Sequence, residues 1–374
     1  MDRKYPKLVV NMHHLRQNMD RVIGKCNALG IQVCGVIKGC SGLLPVARLF
    51  KECGASELAS SRLEQIASCR EAGIPGPYML LRIPMLSELP DMVRWCDSSL
   101  HSDVTVLDAL EDVCRKQDKT HRVIVMADLG DLREGFWNQD EMVDVCCHVE
   151  RDLPHVHLAG VGVNLGCYGS IQPTPEKMEA LLAIARRVES RIGRKLEVIS
   201  GGATSSYTLV DWGTMPPGIN HLRIGETILT AHDLPMEWKV PNLGLRQDAF
   251  VLQTEVVEIR TKPSYPVGKI MIDAFGQKPT YVDRGNRLRC IVGLGRADVG
   301  DVCQLIPRDE GITVLGGSSD HCILDVEDCP RRLQVGDIVE FLLAYPNMLY
   351  ATARNDIALQ YVDGDDPLVS QPLK

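Results

Sequence analysis

Short apolar runs rich in β-branched residues alternate with amphipathic stretches along the first two-thirds of the chain. The runs at 7–10, 31–38, 57–59, 78–82, 99–104, 121–129, 157–164, 196–201 and 221–224 read as strands. Between them, apolar positions recur with helical spacing over 12–28, 43–53, 61–73, 106–116, 139–150 and 174–193. Asn11 suits the N-cap of the first helix, and Thr174 the cap of the last, with Pro175 in its first turn. Alternation of this length predicts parallel strands joined by right-handed crossovers. About eight repeats without a Gly-x-Gly-x-x-Gly fingerprint favour a closed (β/α)8 TIM-like barrel over a doubly wound sheet.

The pattern changes near Gly244. From Val251 onward, strand-like runs follow one another at 251–260, 267–273, 289–294, 313–316, 321–326 and 337–343, with weak helical periodicity. The predicted fold is therefore α/β, with a barrel over residues 1–244 and a mostly-β domain over 245–374. A chain of 374 residues is long enough for two such domains.

Net charge is −8, which argues against nucleic acid or an anionic membrane as the main partner. No apolar stretch approaches the roughly 20 residues of a membrane helix. The fourteen cysteines have irregular spacing, Cys146 and Cys147 are adjacent, and the start Met1–Pro6 lacks a hydrophobic signal core. These features predict reduced thiols in the cytoplasm.

In a barrel of this kind, chemistry sits at the C-terminal strand ends. Lys38 closes one apolar run, and small residues follow it at once. An amine at the mouth of an apolar core is costly to keep charged, and a neutral lysine can attack a carbonyl to form a Schiff base. The same position also suits a lysine that snorkels to solvent. Gly201-Gly202-Ala203-Thr204-Ser205-Ser206 follows another strand, where glycines and a helix start favour an anion, or simply a capping turn. Arg223 and Gly225, after a late strand, suit a planar or anionic group, or a strand-end ion pair with Glu226. Asp128–Gly135 places Arg133 as a candidate carboxylate clamp on what could equally be a charged surface loop. In the β domain, Asp273-Ala274-Phe275-Gly276 and Ser318-Ser319-Asp320-His321 carry acid/base residue types. Gly295–Asp298 reads as a turn held by an Arg–Asp pair. No His/Asp cluster has metal-ligand spacing.

Taken together, the order and spacing of Lys38, Asp128-Leu129-Gly130-Asp131-Leu132-Arg133-Glu134-Gly135, Leu222-Arg223-Ile224-Gly225-Glu226, Asp273–Gly276 and Ser318–His321 resemble fold-type III pyridoxal-phosphate (PLP) enzymes. These form the alanine racemase superfamily, and the resemblance is nearest to its ornithine racemase-like branch. It implies a PLP-dependent racemase acting on a small-molecule amino-acid substrate, with a basic one such as ornithine, lysine or arginine as the family-level choice. It implies a head-to-tail homodimer in which each site borrows β-domain residues from the other subunit.

By the same resemblance, Lys38 holds PLP covalently and serves one face of the substrate. Arg223 faces the pyridine nitrogen, while Gly202, Thr204, Ser205 and Gly225 cradle the phosphate. Arg133 lies near the PLP 3-oxygen and the substrate carboxylate, and Ser319 and Asp320 bind substrate. Alanine racemases supply a β-domain tyrosine as the second base, and here Lys269 stands at the matching position. Their barrel histidine is replaced at or near Asn164. Their carbamylated lysine falls near Met126, and their Tyr-Gly-His-Gly string after the lysine is missing. Candidates for the second base are Asp273, His321, Lys269 and Cys167. Asp131, Glu134 and Asp320 are the acids that could meet a substrate's distal ammonium. The competing readings are a PLP lyase of the same fold (a decarboxylase or aldolase), a non-catalytic PLP-binding protein, and a barrel that has lost its activity.

Overall fold

The structure is a computed structural model, and it describes residues 4–240 and 243–364. The chain divides into two compact units, Leu15–Leu245 and the combination of Met1–His14 with Arg246–Lys374. Strand β1 (Lys7–Asn11) belongs to the second of these. It leads directly into helix α1 (Met12–Ala28), whose N-cap is Asn11, with His14 N–H donating to its Oδ1 at 3.1 Å.

The unit Leu15–Leu245 is a closed parallel barrel. Its strands are β2 (Gln32–Val36), β3 (Glu57–Ser60), β4 (Tyr78–Leu80), β5 (Ser98–His101), β6 (His121–Ala127), β7 (Val156–Val163), β8 (Val198–Ser200) and β9 (His221–Ile224), in that order around the ring. Helices α2 (Leu44–Glu52), α3 (Leu63–Glu71), α4 (Leu89–Trp95), α5 (Val104–Gln117), α6 (Gln139–Asp152) and α7 (Pro175–Ile192) make the crossovers. Closure comes from β9 lying beside β2, with Gln32 opposite His221 and Cys34 opposite Arg223.

The expected barrel beginning at residue 1 is thus corrected. Eight strands already close the ring, so no edge remains for β1, which instead pairs with the β domain.

Alternate residues of barrel strands face inward. Cys34, Val36, Ala59, Met79, Leu100, Ile124 and Met126 meet there as one buried cluster. Each large apolar member contributes roughly 1.5–3 kcal/mol by leaving water. Glu57, Ser98, Ser200, His221 and Arg223 each lie two residues along a strand from another inward position, so polar side chains line the interior beside the apolar cluster.

The other unit is built on β10 (Phe250–Pro263). Its first half pairs with β1 and with β15 (Ile338–Leu342), and its second half with β11 (Asn286–Val292). A register shift between Val256 and Glu258 marks the change of partner. The path runs β12 (Ile306–Pro307), β15, β10, β11, β14 (Cys322–Asp325), β13 (Thr313–Gly317), and β16 (Ala358–Val362) pairs with β1. The short β12 and β16 had no clear sequence signal.

The strand expected over 267–273 is absent. Residues 264–285 join β10 to β11 without a strand. Val267 is 94% exposed and Ile272 69%, so the β-branched residues that suggested a strand have no neighbour to pack against within this unit. Asp273 instead closes a turn, its carboxylate accepting from Phe275 N–H at 2.9 Å and Gln277 N–H at 2.8 Å.

Candidate active site

Lys38 begins a short 3-10 turn two residues after β2 ends, at the C-terminal mouth of the barrel. Its amine is held below the usual lysine value, chiefly by burial and then by the Arg133 guanidinium, with Arg223 adding a smaller push. Cys167 and Glu134 act in the opposite direction. Lys38 is half-buried at that mouth.

Arg133 is positioned by a loop that folds back on its own strand. Phe136 N–H donates to Met126 O at 2.8 Å and Asp128 N–H to Phe136 O at 3.0 Å. Gly135 sits at this return with φ +134°, and a Cβ there would meet the backbone of Ala127 and Asp128. Asp128 stiffens the loop by accepting from Gly130 N–H at 2.8 Å and Leu132 N–H at 3.1 Å. The Arg133 guanidinium makes a two-pronged ion pair with Glu134, and its NH1 donates to Cys167 Sγ at 2.9 Å. Its clamp geometry is therefore occupied by an internal carboxylate.

Two acids expected near a substrate ammonium are engaged elsewhere. Asp131 is 1% exposed and accepts from the backbone N–H groups of Cys167, Tyr168 and Ile171, so it anchors the loop after β7. Glu134 is the partner of Arg133.

Arg223, on β9, is buried. Its NH1 donates to Ser200 Oγ and its NH2 to Val163 O at 3.0 Å. Burial lowers its proton affinity, but a guanidinium remains protonated. The expected strand-end pair between Arg223 and Glu226 is absent. Glu226 instead accepts from Thr230 Oγ1–H at 2.6 Å, His232 N–H at 3.0 Å and Asp233 N–H at 2.9 Å.

The loops after β8 and β9 lie together. Arg223 N–H donates to Gly202 O at 2.9 Å, and Thr227 N–H to Thr204 Oγ1 at 3.4 Å. Gly202 has φ +121°, and a Cβ on it would collide with Ser206 Oγ. Gly225 backs onto Val36, with room for no side chain. Ser205 Oγ–H is already donated to Leu165 O at 2.7 Å, which leaves its backbone N–H for any ligand. Asn164 Nδ2 and Thr227 Oγ1 are buried without a hydrogen-bond partner among the described residues. Orphaned donors of this kind, beside two bare glycines and the start of the 204–206 turn, suit an anion.

Within the β domain, the three strings singled out in the sequence converge. The Arg296 guanidinium stacks on the Phe275 ring at 4.2 Å, and the Arg296 backbone N–H donates to Ser318 O at 2.9 Å. Ala297 N–H donates to Ser319 O at 2.9 Å. Asp298 accepts from Gly295 N–H rather than pairing with Arg296. Lys269, Ser319, Asp320 and His321 are exposed, and Asp273 is half-buried.

Sequence spacing showed no metal cluster, yet folding brings Cys34, Glu57 and His221 together, with donor atoms within 4.8 Å of one another. These residues, with Thr227, are the ones sequence reasoning missed.

A family model for the alanine racemase N-terminal domain matches residues 10–232. The chain belongs to the alanine racemase family. It is 38% identical over 351 residues to a lysine racemase of Thermotoga maritima, covering 93% of this chain and 96% of that one. It is 35% identical over 345 residues to an ornithine racemase of Acetoanaerobium sticklandii, covering 92% and 96%. An alanine racemase structure from Streptomyces lavendulae superposes with a TM-score of 0.70 at 18% identity, covering 96% of this chain and 97% of that one, a likeness of fold. The family's cofactor is PLP. The anion cradle, its orphaned donors and a half-buried lysine at the same barrel mouth fit that group.

Proposed function

We propose that the chain is a PLP-dependent racemase that interconverts the enantiomers of a basic amino acid such as lysine or ornithine. The observation that carries this reading is a lysine amine with depressed proton affinity beside two guanidinium groups, on a chain so extensively similar to racemases of basic amino acids. When bound, PLP supplies an electron sink that acidifies the substrate Cα–H.

The chain's own residues do the rest. Lys38 holds the cofactor covalently and, once released by substrate, moves the proton at Cα on one face. Gly202, Gly225, Thr204 and the Ser205 N–H take the phosphate, with Asn164 and Thr227 adding their free donors. Arg223 faces the ring nitrogen; being permanently protonated, it offers no acceptor for a further proton there. Arg133 orients the substrate carboxylate by exchanging its Glu134 partner for it. The second face needs a base from Asp273, His321, Lys269 or Cys167, while Ser319 and Asp320 hold the substrate.

The first three of those bases belong to the β domain of a second copy in a head-to-tail homodimer. The exposed apolar residues Val267, Met271, Ile272 and Val282 on the 264–285 segment support such a partner. All fourteen cysteines are unpaired, which supports a reducing, cytoplasmic setting. Among the described residues, no helix is long and apolar enough to cross a membrane.

Polarimetry and Cα deuterium exchange on L-lysine, L-ornithine, L-arginine, L-serine and L-alanine test the activity. Inversion of lysine or ornithine is expected. Release of CO2 or aldehyde without inversion would establish a lyase instead. Borohydride reduction followed by peptide mapping should place a pyridoxyl group on Lys38.

A further inference from the structure

Arg223 is a permanent positive charge with almost no access to water, so the interior of the barrel must offset it. Among the described residues, no carboxylate touches it directly. What touches it is Ser200 Oγ, which also lies 2.8 Å from His221 Nδ1. His221 Nε2 in turn lies 2.8 Å from Glu57 Oε1, and Glu57 Oε2 accepts from Ser98 Oγ–H at 3.3 Å.

We propose that Ser200, His221 and Glu57 form a hydrogen-bonded relay that positions Arg223 and joins its charge to a carboxylate across the barrel interior. This inference rests on the placement of Arg223 against the cofactor ring nitrogen.

The strand register builds the relay. His221 and Arg223 are two residues apart on β9 and so share a face. Ser200 is opposite His221 on β8. Cys34 on β2 lies between Arg223 and Glu57 in register.

Donor and acceptor inventories fix the polarity. A guanidinium only donates, so Ser200 Oγ accepts from it. The hydroxyl proton then points to Nδ1, and Nε2–H points to the carboxylate. Each link is satisfied with one proton on the ring, and Glu57 ends the chain as the counter-charge. Both imidazole nitrogens are thereby engaged by Ser200 and Glu57, so the Cys34–Glu57–His221 group carries no metal assignment. The arrangement also has the Ser–His–acid order of a hydrolase, but Ser200 is 0% exposed and its oxygen is committed to Arg223, which leaves no nucleophile.

The relay acts on chemistry through orientation. Two fixed acceptors, Ser200 Oγ and Val163 O, hold the guanidinium plane. With the Ser200 link removed, the guanidinium can swing aside and leave the cofactor ring nitrogen open to a proton.

The test uses holoenzyme reconstituted with PLP carrying 15N in the ring, in wild type, Ser200→Ala and Glu57→Gln. The 15N resonance reports protonation of that nitrogen and does not depend on turnover. Wild type should show the unprotonated signature. Ser200→Ala should move it toward the protonated one and lower kcat about tenfold with KM unchanged, as loss of a supporting partner does elsewhere. Glu57→Gln keeps an acceptor but removes the charge, and should shift the resonance in the same direction by less. Folded variants with the wild-type resonance and kcat would overturn the relay. If Ser200→Ala does not fold, the isosteric Glu57→Gln alone decides by the same two readouts. A protonated signature in wild type would overturn the placement of Arg223 itself, a failure distinct from that of the relay.

Discussion

Lys38 and Arg223 lie in the barrel, where burial lowers the proton affinity of both. Lys269 and His321 lie in the β domain, in exposed segments, and Asp273 is a turn acid held below its usual value by the N–H groups of Gln277 and Phe275. The two regions teach different things. In the barrel the protein's own packing already sets the chemistry of the side chains. In the β domain the residue types suit acid–base work, but their surroundings in this unit leave them close to solvent. If they act, a covering partner must supply the perturbation.

The largest effect should come from the buried end of this contrast. Lys38→Ala removes the covalent hold and one proton carrier together. Racemisation should fall about 10^4-fold or more, the upper range for a positioned acid–base group, and the visible absorption of bound PLP should be lost. A variant that keeps both would remove Lys38 from the mechanism.

The exposed end is tested next. Among Asp273→Asn, Lys269→Met and His321→Asn, one should lower inversion about 10^3-fold while Cα deuterium exchange of one enantiomer continues through Lys38. Single-enantiomer exchange separates loss of a base from loss of fold. If all three exchange and invert normally, the second base lies in the barrel, and Cys167 becomes the remaining candidate. Light scattering on the same proteins should show a dimer; a monomer with full activity would contradict a shared site.

Glu226 probes whether barrel burial is as strong as Lys38 implies. Burial raises its carboxyl from 4.5 to about 7, against the three donors that favour its charged form. The folded-state value is raised, so the stabilisation is complete below about pH 4.5 and is lost as pH climbs through about 7. A shift of that size corresponds to about 3 kcal/mol. Urea unfolding of apoprotein should therefore show wild type losing about that much relative to Glu226→Gln between pH 4.5 and 7. Parallel curves would mean that Glu226 stays charged throughout.

Much of the barrel was legible because its signals are local. Helix 12–28 and strand 221–224 have the bounds their periodicity predicts, and Asn11 and Thr174 cap as their side chains suggest. Lys38, Arg223 and the two glycines were legible because strand ends are where such barrels place chemistry. The β-domain boundary was less so, since only pairing with β10 and β16 takes β1 out of the barrel. The 267–273 run was misread for the converse reason: β-branched residues make a strand only where a neighbour packs on them. Ser200 heads the strand-end glycine run, but Glu57 and His221 carry no motif at all. They are scattered single polar residues in apolar strands, and only ring closure makes them adjacent. The partnership of Arg133 with Glu134 was hidden because a charged loop looks the same whether its ions face water or one another.

The smallest expected effect lies where the two regions compete for the same role. Cys167 is exposed and its sulfur receives Arg133 NH1 at 2.9 Å. If the second base comes from the β domain, this thiol only steadies the guanidinium. Cys167→Ser keeps an acceptor there, and a neutral hydrogen bond is worth about 1 kcal/mol, so KM should change less than about fivefold and kcat hardly at all. If Cys167 is itself the base, serine is far too weak an acid to replace it, and inversion should fall as steeply as for a lost acid–base group while exchange through Lys38 persists. The size of this one substitution therefore decides whether both faces of the substrate are served from the barrel or only one.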